Sequence, residues 1–438
     1  MRVKLAYDGL DPGGGRTVPL MSGSIDYWRH EAEFWPRLAD RAVELGLGFV
    51  CVAIPWSVHE VSKGVFDFGK TDKAKNIVKF LDICQDKNLK VLVRPGPAVG
   101  AQLNCAGIPE RVLERRELLM RTAEGTPAIV PQPPQFFPAP GCASPLFYEE
   151  TGAWFDAVCE ILSPRQVPDG PVAAVQAGHE ANLWGRSQAF DVDYSAAAVA
   201  LYHDFLRGRH GDLAVLSELY GRDYARFRDI LPPREFAPDS GARMPYFVDW
   251  VEFKEFYVYY GINRLAAMLR ERGLDRVLVY HDYPWAGQSP LHVPGTEGAA
   301  VDLVGVNLRA GRGDYETVRD TARGLYADSG LAFAAELHVG GSPWSTPPGR
   351  GDRGFTALAA LMNGIKGVNY TMLADRDRWQ GAPVTRAGRR RPRRFDFVKR
   401  LNAFYSETGF HKSRMHAQGV ILHMRDYERF EALCSLVS

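Results

Sequence analysis

Glu180 and Glu336 each close a hydrophobic run, and they are the side chains of this 438-residue chain with the most chemistry to offer. The runs, PVAAVQAGHE at 171–180 and LAFAAELHVG at 331–340, read as buried strands that turn polar at their ends. A carboxylate at the end of a buried strand is costly to desolvate, so it needs a partner or a task. Two carboxylates at equivalent strand ends of one barrel, one protonated and one ionised, are equipped to cleave a glycosidic bond.

The elements that must position this pair are legible as alternating short apolar runs and stretches of helical period. Strands are predicted at 19–25, 49–56, 90–97, 171–180, 276–283, 301–308, 331–338 and 366–373. Most are apolar throughout, as strands covered on both faces are. Amphipathic segments at 34–45, 73–87, 152–162 and 247–272 lie between them. Eight strands alternating with helices predict an α/β fold, a (β/α)8 TIM barrel, with chemistry on the loops that follow the strands. Glu180 then ends the fourth strand and Glu336 the seventh.

Two insertions enlarge the predicted barrel. Residues 123–144 are rich in proline and phenylalanine and follow strand three, and residues 213–245 separate strands four and five. Long loops on the catalytic face commonly build a substrate pocket. The barrel is expected to occupy 1–409. Residues 410–438 form a short C-terminal βα extension, in which 418–438 reads as one strand (GVILHM) and one helix. A single βα unit cannot form its own core. It is expected to pack on the barrel or to begin a second α/β domain.

Composition narrows the class. With 46% hydrophobic residues, 24% charged residues and a net charge of +1, the chain suits a soluble protein with a large core. Near-neutral charge gives no electrostatic case for nucleic acid or for an anionic membrane. No stretch approaches the roughly 20 apolar residues of a membrane span, and the N-terminus lacks a signal-like apolar region. A cytoplasmic location is therefore expected. The basic stretch RAGRRRPRR at 386–394 reads as a solvated surface loop, with an acidic partner as the alternative. The six cysteines (51, 84, 105, 142, 159, 434) are scattered, without CxxC spacing, and are expected to be reduced.

Three long motifs occur in order: SGSIDYWR at 22–29, PWSVHEVSKGVFDF at 55–68 and RPGPAVGAQLNCAGIP at 94–109. With them the chain resembles the family 35 β-galactosidases of glycoside hydrolase clan A. Residues 218–234 (ELYGRDYARFRDILPPR) are similar to the helical insertion of family 42, and the C-terminal unit to the domain that follows its barrel. The resemblance implies Glu180, in VQAGHE, as acid/base and Glu336, in AAELHVGG, as nucleophile of a retaining double displacement. A retaining exo-β-glycosidase acting on terminal β-linked sugars, β-galactosidase-like, is the expectation. Its substrate is carbohydrate, and a homo-oligomer is a possible active form.

The nucleophile's pKa must stay low, so Glu336 is expected to have cationic or hydrogen-bonding neighbours, with Arg29 and Tyr283 as candidates. Trp56, Trp285, Trp344 and Trp379 follow predicted strands, where a ring stacks on a sugar or packs over the barrel mouth. Asn307 ends strand six and is a candidate for a sugar hydroxyl. His59 and Glu60 match a family motif, with an architectural role expected.

The sequence departs from the family pattern at the sugar. His179 replaces the asparagine before the acid/base, which hydrogen-bonds the sugar 2-hydroxyl in the clan. Gln102 replaces a glutamate and Ala53 a tyrosine, both associated with galactose. A β-glycosidase of changed sugar preference is therefore one alternative, and a carbohydrate-binding relative of weak or no activity another. A third, a metal-dependent hydrolase, would use His59, His179, His281 and His338; the missing HxH pair speaks against it. Cys105 and Cys142 echo the family 42 zinc cluster without its other ligands, so neither metal nor cofactor is expected.

Overall fold

A computed structural model describes residues 2–132, 135–181, 183, 189–238, 243–284, 300–343, 349–419, 422 and 424–434. Eight parallel strands close into a barrel: β1 (Met21–Ser24), β2 (Phe49–Ala53), β3 (Lys90–Arg94), β4 (Val172–Gln176), β5 (Leu278–Tyr283), β6 (Leu303–Leu308), β7 (Phe333–His338) and β8 (Gly367–Thr371). Each pairs with its sequence neighbours, and β8 returns to β1 through Val368↔Met21. The eight predicted strands are all present, each ending short of or level with its predicted C-terminal limit.

Double-sided burial explains their composition. FVCVA of β2 is buried at every position, with one set of side chains facing the helices and the other the bore. Phe49, Cys51, Leu92, Leu278, Tyr280, Leu303 and Phe333 pack together as the inner core. A larger cluster, including Val50, Val52, Val91, Val93 and Val279, joins the opposite strand faces to the helices. Along the bore-facing set, β5 runs Leu278, Tyr280, Asp282 and β6 runs Leu303, Gly305, Asn307. Polarity therefore rises toward the C-terminal ends. Gly305 is required there, because a Cβ would meet the Ala335 Cβ at 2.9 Å and the Phe333 carbonyl oxygen at 3.0 Å.

The surrounding helices are α1 (Trp35–Glu44), α2 (Ile77–Asp86), α3 (Pro145–Leu162), α4 (Ala196–His210), α5 (Leu213–Tyr220), α6 (Met244–Glu271), α7 (Tyr315–Asp328), α8 (Arg350–Met362), α9 (Pro392–Glu407) and α10 (Arg425–Cys434). Local chemistry starts several of them. The Asn76 side chain caps α2 through the Lys79 N–H, Ser195 caps α4, Asp212 caps α5, and proline opens α1, α3, α6 and α9.

The 123–144 insertion forms a hairpin, Ile129–Gln132 against Gln135–Pro138, in which Phe137 is buried and Phe136 exposed. The 213–245 insertion contributes α5. Near the C-terminus α10 lies on α6, where Arg429 and Arg425 pair with Glu255. Of the predicted strand at 419–424, positions 420, 421 and 423 lie outside the described residues. Within 386–394, Arg386, Arg390 and Arg391 pair with Glu31, Glu44 and Asp375 on the same chain. Cys51, Cys84, Cys105, Cys142 and Cys159 are unbridged. No described helix is long and apolar enough to cross a membrane.

Candidate active site

Glu336 lies within β7 at the polar end of the bore, opposite Asn307 of β6, and is 6% exposed. Its Oε1 accepts a hydrogen bond from Arg94 Nη1 at 3.0 Å. Its Oε2 faces His338 Nε2 at 3.3 Å and Arg309 Nη2 at 3.7 Å. Burial alone would raise its pKa. The His338 hydrogen bond and the charges of Arg94, His179 and Arg309 outweigh burial and hold the carboxyl well below the usual range.

Glu180 does not end a strand: β4 stops at Gln176, and Glu180 sits four residues on, in a turn where its φ is +45°. A non-glycine residue in that region is held by its surroundings. Here the Glu180 N–H donates to Asp282 Oδ1 at 3.0 Å, which fixes the turn to β5. The side chain then reaches the bore, where Oε1 accepts from Asn307 Nδ2 at 2.7 Å and from Arg309 Nη2 at 2.5 Å. Arg309 thus touches both carboxylates. Its contacts of 2.5 and 3.7 Å bound Glu180 Oε1 and Glu336 Oε2 to within 6.2 Å of each other.

Between the glutamates lies His179, whose Nδ1 is 2.7 Å from Asp282 Oδ2 and 3.0 Å from Arg94 Nη2. Burial lowers the Asp282-bound imidazole's pKa, but the Asp282 charge prevails and the net shift is upward. Asp282 itself is kept ionised despite burial, chiefly by His179, then by Arg94. With Nδ1–H donated to that carboxylate, the His179 Nε2 is left facing Glu180 Oε2 at 4.0 Å. Gly100 leaves room for the ring: a Cβ there would stand 2.8 Å from Nε2. Asp282 also accepts from Gln176 Nε2 at 2.6 Å and Asn307 Nδ2 at 3.0 Å, so one buried carboxylate orients four groups of the site.

Of the residues predicted for the site, Glu180, Glu336, His179 and Asn307 come together. Others fall elsewhere. Arg29 was expected beside Glu336 but instead donates to Asp377 and to the Ala101 carbonyl, from a short helical turn, Tyr27–Arg29, that follows β1. Gln102 accepts from Arg376 at 2.6 Å, and with Arg29, Asp377 and Arg378 it lines a groove at the barrel mouth. Trp56 is a correction: strand β2 ends at Ala53, and the ring turns into the core, fully buried and stacked on Trp154.

Trp379 is 2% exposed, its ring edge-on to His338 at 5.0 Å, so it backs a partner of Glu336 and presents almost no face for stacking. Tyr283 is 8% exposed, with its ring against His281. It does not take the place expected for it beside Glu336, whose contacts are with Arg94, His338 and Arg309. Trp285 and Trp344 lie outside the described residues. His59 is buried between the Tyr27 hydroxyl and the Asp67 carbonyl, and Glu60 accepts two bonds from Arg111.

The four strand-end histidines do not converge, since His281 is tied to the Ala177 carbonyl and the Ala181 N–H. His179, Asp282 and Glu336 do bring donor atoms within 4.8 Å of one another. Arg94, bonded to Glu336 and with Nη2 3.0 Å from His179 Nδ1, already supplies positive charge there.

Sequence reasoning missed Arg94, Asp282 and Arg309. The signal for the first two was present: each sits at a bore-facing position one alternation beyond an inner-core residue, Leu92 or Tyr280. Arg309, one residue past β6, carried no comparable signal.

The fold is a (β/α)8 barrel, similar to glycoside hydrolase family 35 in its first quarter and to family 42 β-galactosidases in its overall shape. Residues 13–126 match the model of the glycosyl hydrolases family 35. A β-1,2-glucosyltransferase of Ignavibacterium album is 26% identical over 82% of this chain and 51% of its own length. An exo-β-D-glucosaminidase of Pyrococcus horikoshii is 27% identical over 61% of this chain and 34% of its own. The chain thus spans about half or less of the length of these relatives. A family 42 β-galactosidase from G. stearothermophilus has a similar fold, with a TM-score of 0.71 at 13% identity over 98% of this chain and 62% of that one.

Proposed function

We propose that this chain is the catalytic barrel of a retaining β-glycosidase that removes terminal β-linked sugars. The observation that carries this reading is the pair Glu180 and Glu336 around one guanidinium, whose contacts of 2.5 and 3.7 Å keep Glu180 Oε1 and Glu336 Oε2 no more than 6.2 Å apart. Retention uses carboxyl groups about 5–5.5 Å apart, whereas inversion needs about 6.5–9.5 Å to admit a water.

Glu336, ionised by its neighbours, would bond to the anomeric carbon as the glycosidic bond breaks, and protonated Glu180 would give its proton to the departing oxygen. Water, deprotonated by Glu180, then attacks the same carbon and frees Glu336. His179, oriented by Asp282, offers one hydrogen bond where the clan's asparagine meets the sugar 2-hydroxyl. The printed names of the relatives favour glucosyl, glucosaminyl or galactosyl groups as the sugar. The transferase relative points to a second acceptor, since a sugar hydroxyl can replace water in the second step.

Aryl β-glycosides of these sugars test the proposal. Glu336→Gln and Glu180→Gln are each expected to lower kcat by about 10³-fold or more, and NMR of the first product is expected to show the β-anomer. Wild-type turnover by either variant, or an α-anomer product, removes the mechanism.

A further inference from the structure

Among the described residues, Arg309 is the one arginine in contact with both carboxylates, and the double displacement does not use it. Its side chain is 42% exposed, and it stands in the gap that the anomeric carbon has to enter. Glu180 Oε1 must face the departing oxygen in the first step, yet a guanidinium holds it at 2.5 Å. The pair and the sugar compete for the same gap. Any sugar must displace Arg309 from both carboxylates, and the guanidinium then needs a new partner.

The barrel mouth has the same sign. Gln102 is neutral and bonded to Arg376, and around it the guanidinium groups of Arg29, Arg376 and Arg378 pair with two described carboxylates, Asp377 and Asp26. A planar anion on the sugar would complement this excess of guanidinium.

We propose that the substrate is an acidic glycoside, a β-linked uronic acid, whose carboxylate draws the Arg309 guanidinium out of the gap and so frees Glu180 Oε1 to face the departing oxygen. The inference rests on the glycosidase reading above. Carboxylate and guanidinium match as a two-pronged pair, which a neutral hydroxymethyl group does not reproduce.

The test compares kcat/KM for p-nitrophenyl β-D-glucuronide and galacturonide with the corresponding glucoside and galactoside, in wild type, Arg309→Gln and Arg309→Lys. Wild type is expected to prefer the better uronide by about tenfold or more over its neutral counterpart. Arg309→Gln is expected to bring that ratio down to about one, with Arg309→Lys in between. Preference for a neutral sugar, or an unchanged ratio in Arg309→Gln, overturns the inference and leaves the glycosidase reading standing. If wild type cleaves neither these four nor the glucosaminide, that reading fails first, and calorimetry decides the inference separately. Glucuronate binding about tenfold tighter than glucose in wild type but not in Arg309→Gln supports it; equal or absent binding of both overturns it.

Discussion

Glu180 and Glu336 are held on two sides of the Arg309 guanidinium, at 2.5 and 3.7 Å, although one lies in a turn after β4 and the other inside β7. The two carboxylates differ in what surrounds them. The Glu336 side chain is 8% exposed and has Arg94 and His338 beside the shared Arg309, whereas the Glu180 side chain is 23% exposed and bonds through one oxygen. A nucleophile needs the first environment, and an acid that must gain and lose a proton needs the second.

Arg94 is the nearest described cation to the Glu336 carboxylate, at 3.0 Å. Arg94→Met leaves a buried carboxylate without its donor, and the expected loss of stability is about 3–5 kcal/mol by thermal or urea unfolding. The sign of the pH effect follows from the depressed pKa of Glu336. Its contribution is present above the unfolded value, about 4.3, and is lost as pH falls through the folded one. Without Arg94 the folded value rises, so the acid limb of kcat/KM is expected to move to higher pH. An acid limb that stays in place would show that His338 and Arg309 suffice.

His179 gives the opposite dependence. Its folded pKa is raised by Asp282 against the effect of burial, so its contribution is full below the unfolded value, about 6.5, and fades as pH rises through the folded one. His179→Asn restores the residue usual in the clan and removes this titration. The excess in Tm of wild type over the variant is expected to shrink between about pH 6 and about pH 9. A constant difference across that range would mean that His179 does not titrate as the Asp282 contact implies.

Much of the barrel was legible because strands buried on both faces must be apolar throughout, and all eight runs emerge as strands. The two glutamates were legible because a carboxylate closing such a run is rare without a task. What the runs did not show is where each strand stops. β2 ends three residues before Trp56, and that difference moves the ring from the barrel mouth into the core. β4 ends four residues before Glu180, and the turn between them, fixed by Asp282, depends on a strand about a hundred positions away. Contacts of that range leave no local pattern. Arg309 belongs to the same class, since a single arginine after a strand reads as surface until the fold brings two carboxylates to it.

Gly100 tests whether His179 has to sit where it does. Its φ of +65° already disfavours any side chain, and an alanine Cβ would stand 2.8 Å from His179 Nε2. Gly100→Ala is expected to cost about 1 kcal/mol or more in stability and to lower kcat more than it raises KM, because the ring is pushed from its place beside Glu180. A variant that loses stability alone, with kcat intact, would show that the ring position is not used in turnover.

Trp56 separates core packing from sugar contact. The ring is fully buried, stacked on Trp154 at 6.4 Å with planes 5° apart, and it has no face toward the bore opening. Trp56→Phe keeps an aromatic ring but leaves unfilled volume in a region where His59, Phe66 and Phe68 also pack against Trp154. The expected cost is about 1–3 kcal/mol of stability, read from urea unfolding, with KM for an aryl glycoside unchanged in the folded protein. A sugar-stacking tryptophan behaves the other way: its loss raises KM and leaves the unfolding midpoint nearly where it was. Measuring both quantities on one variant therefore decides between them, and a raised KM at unchanged stability would return Trp56 to the substrate.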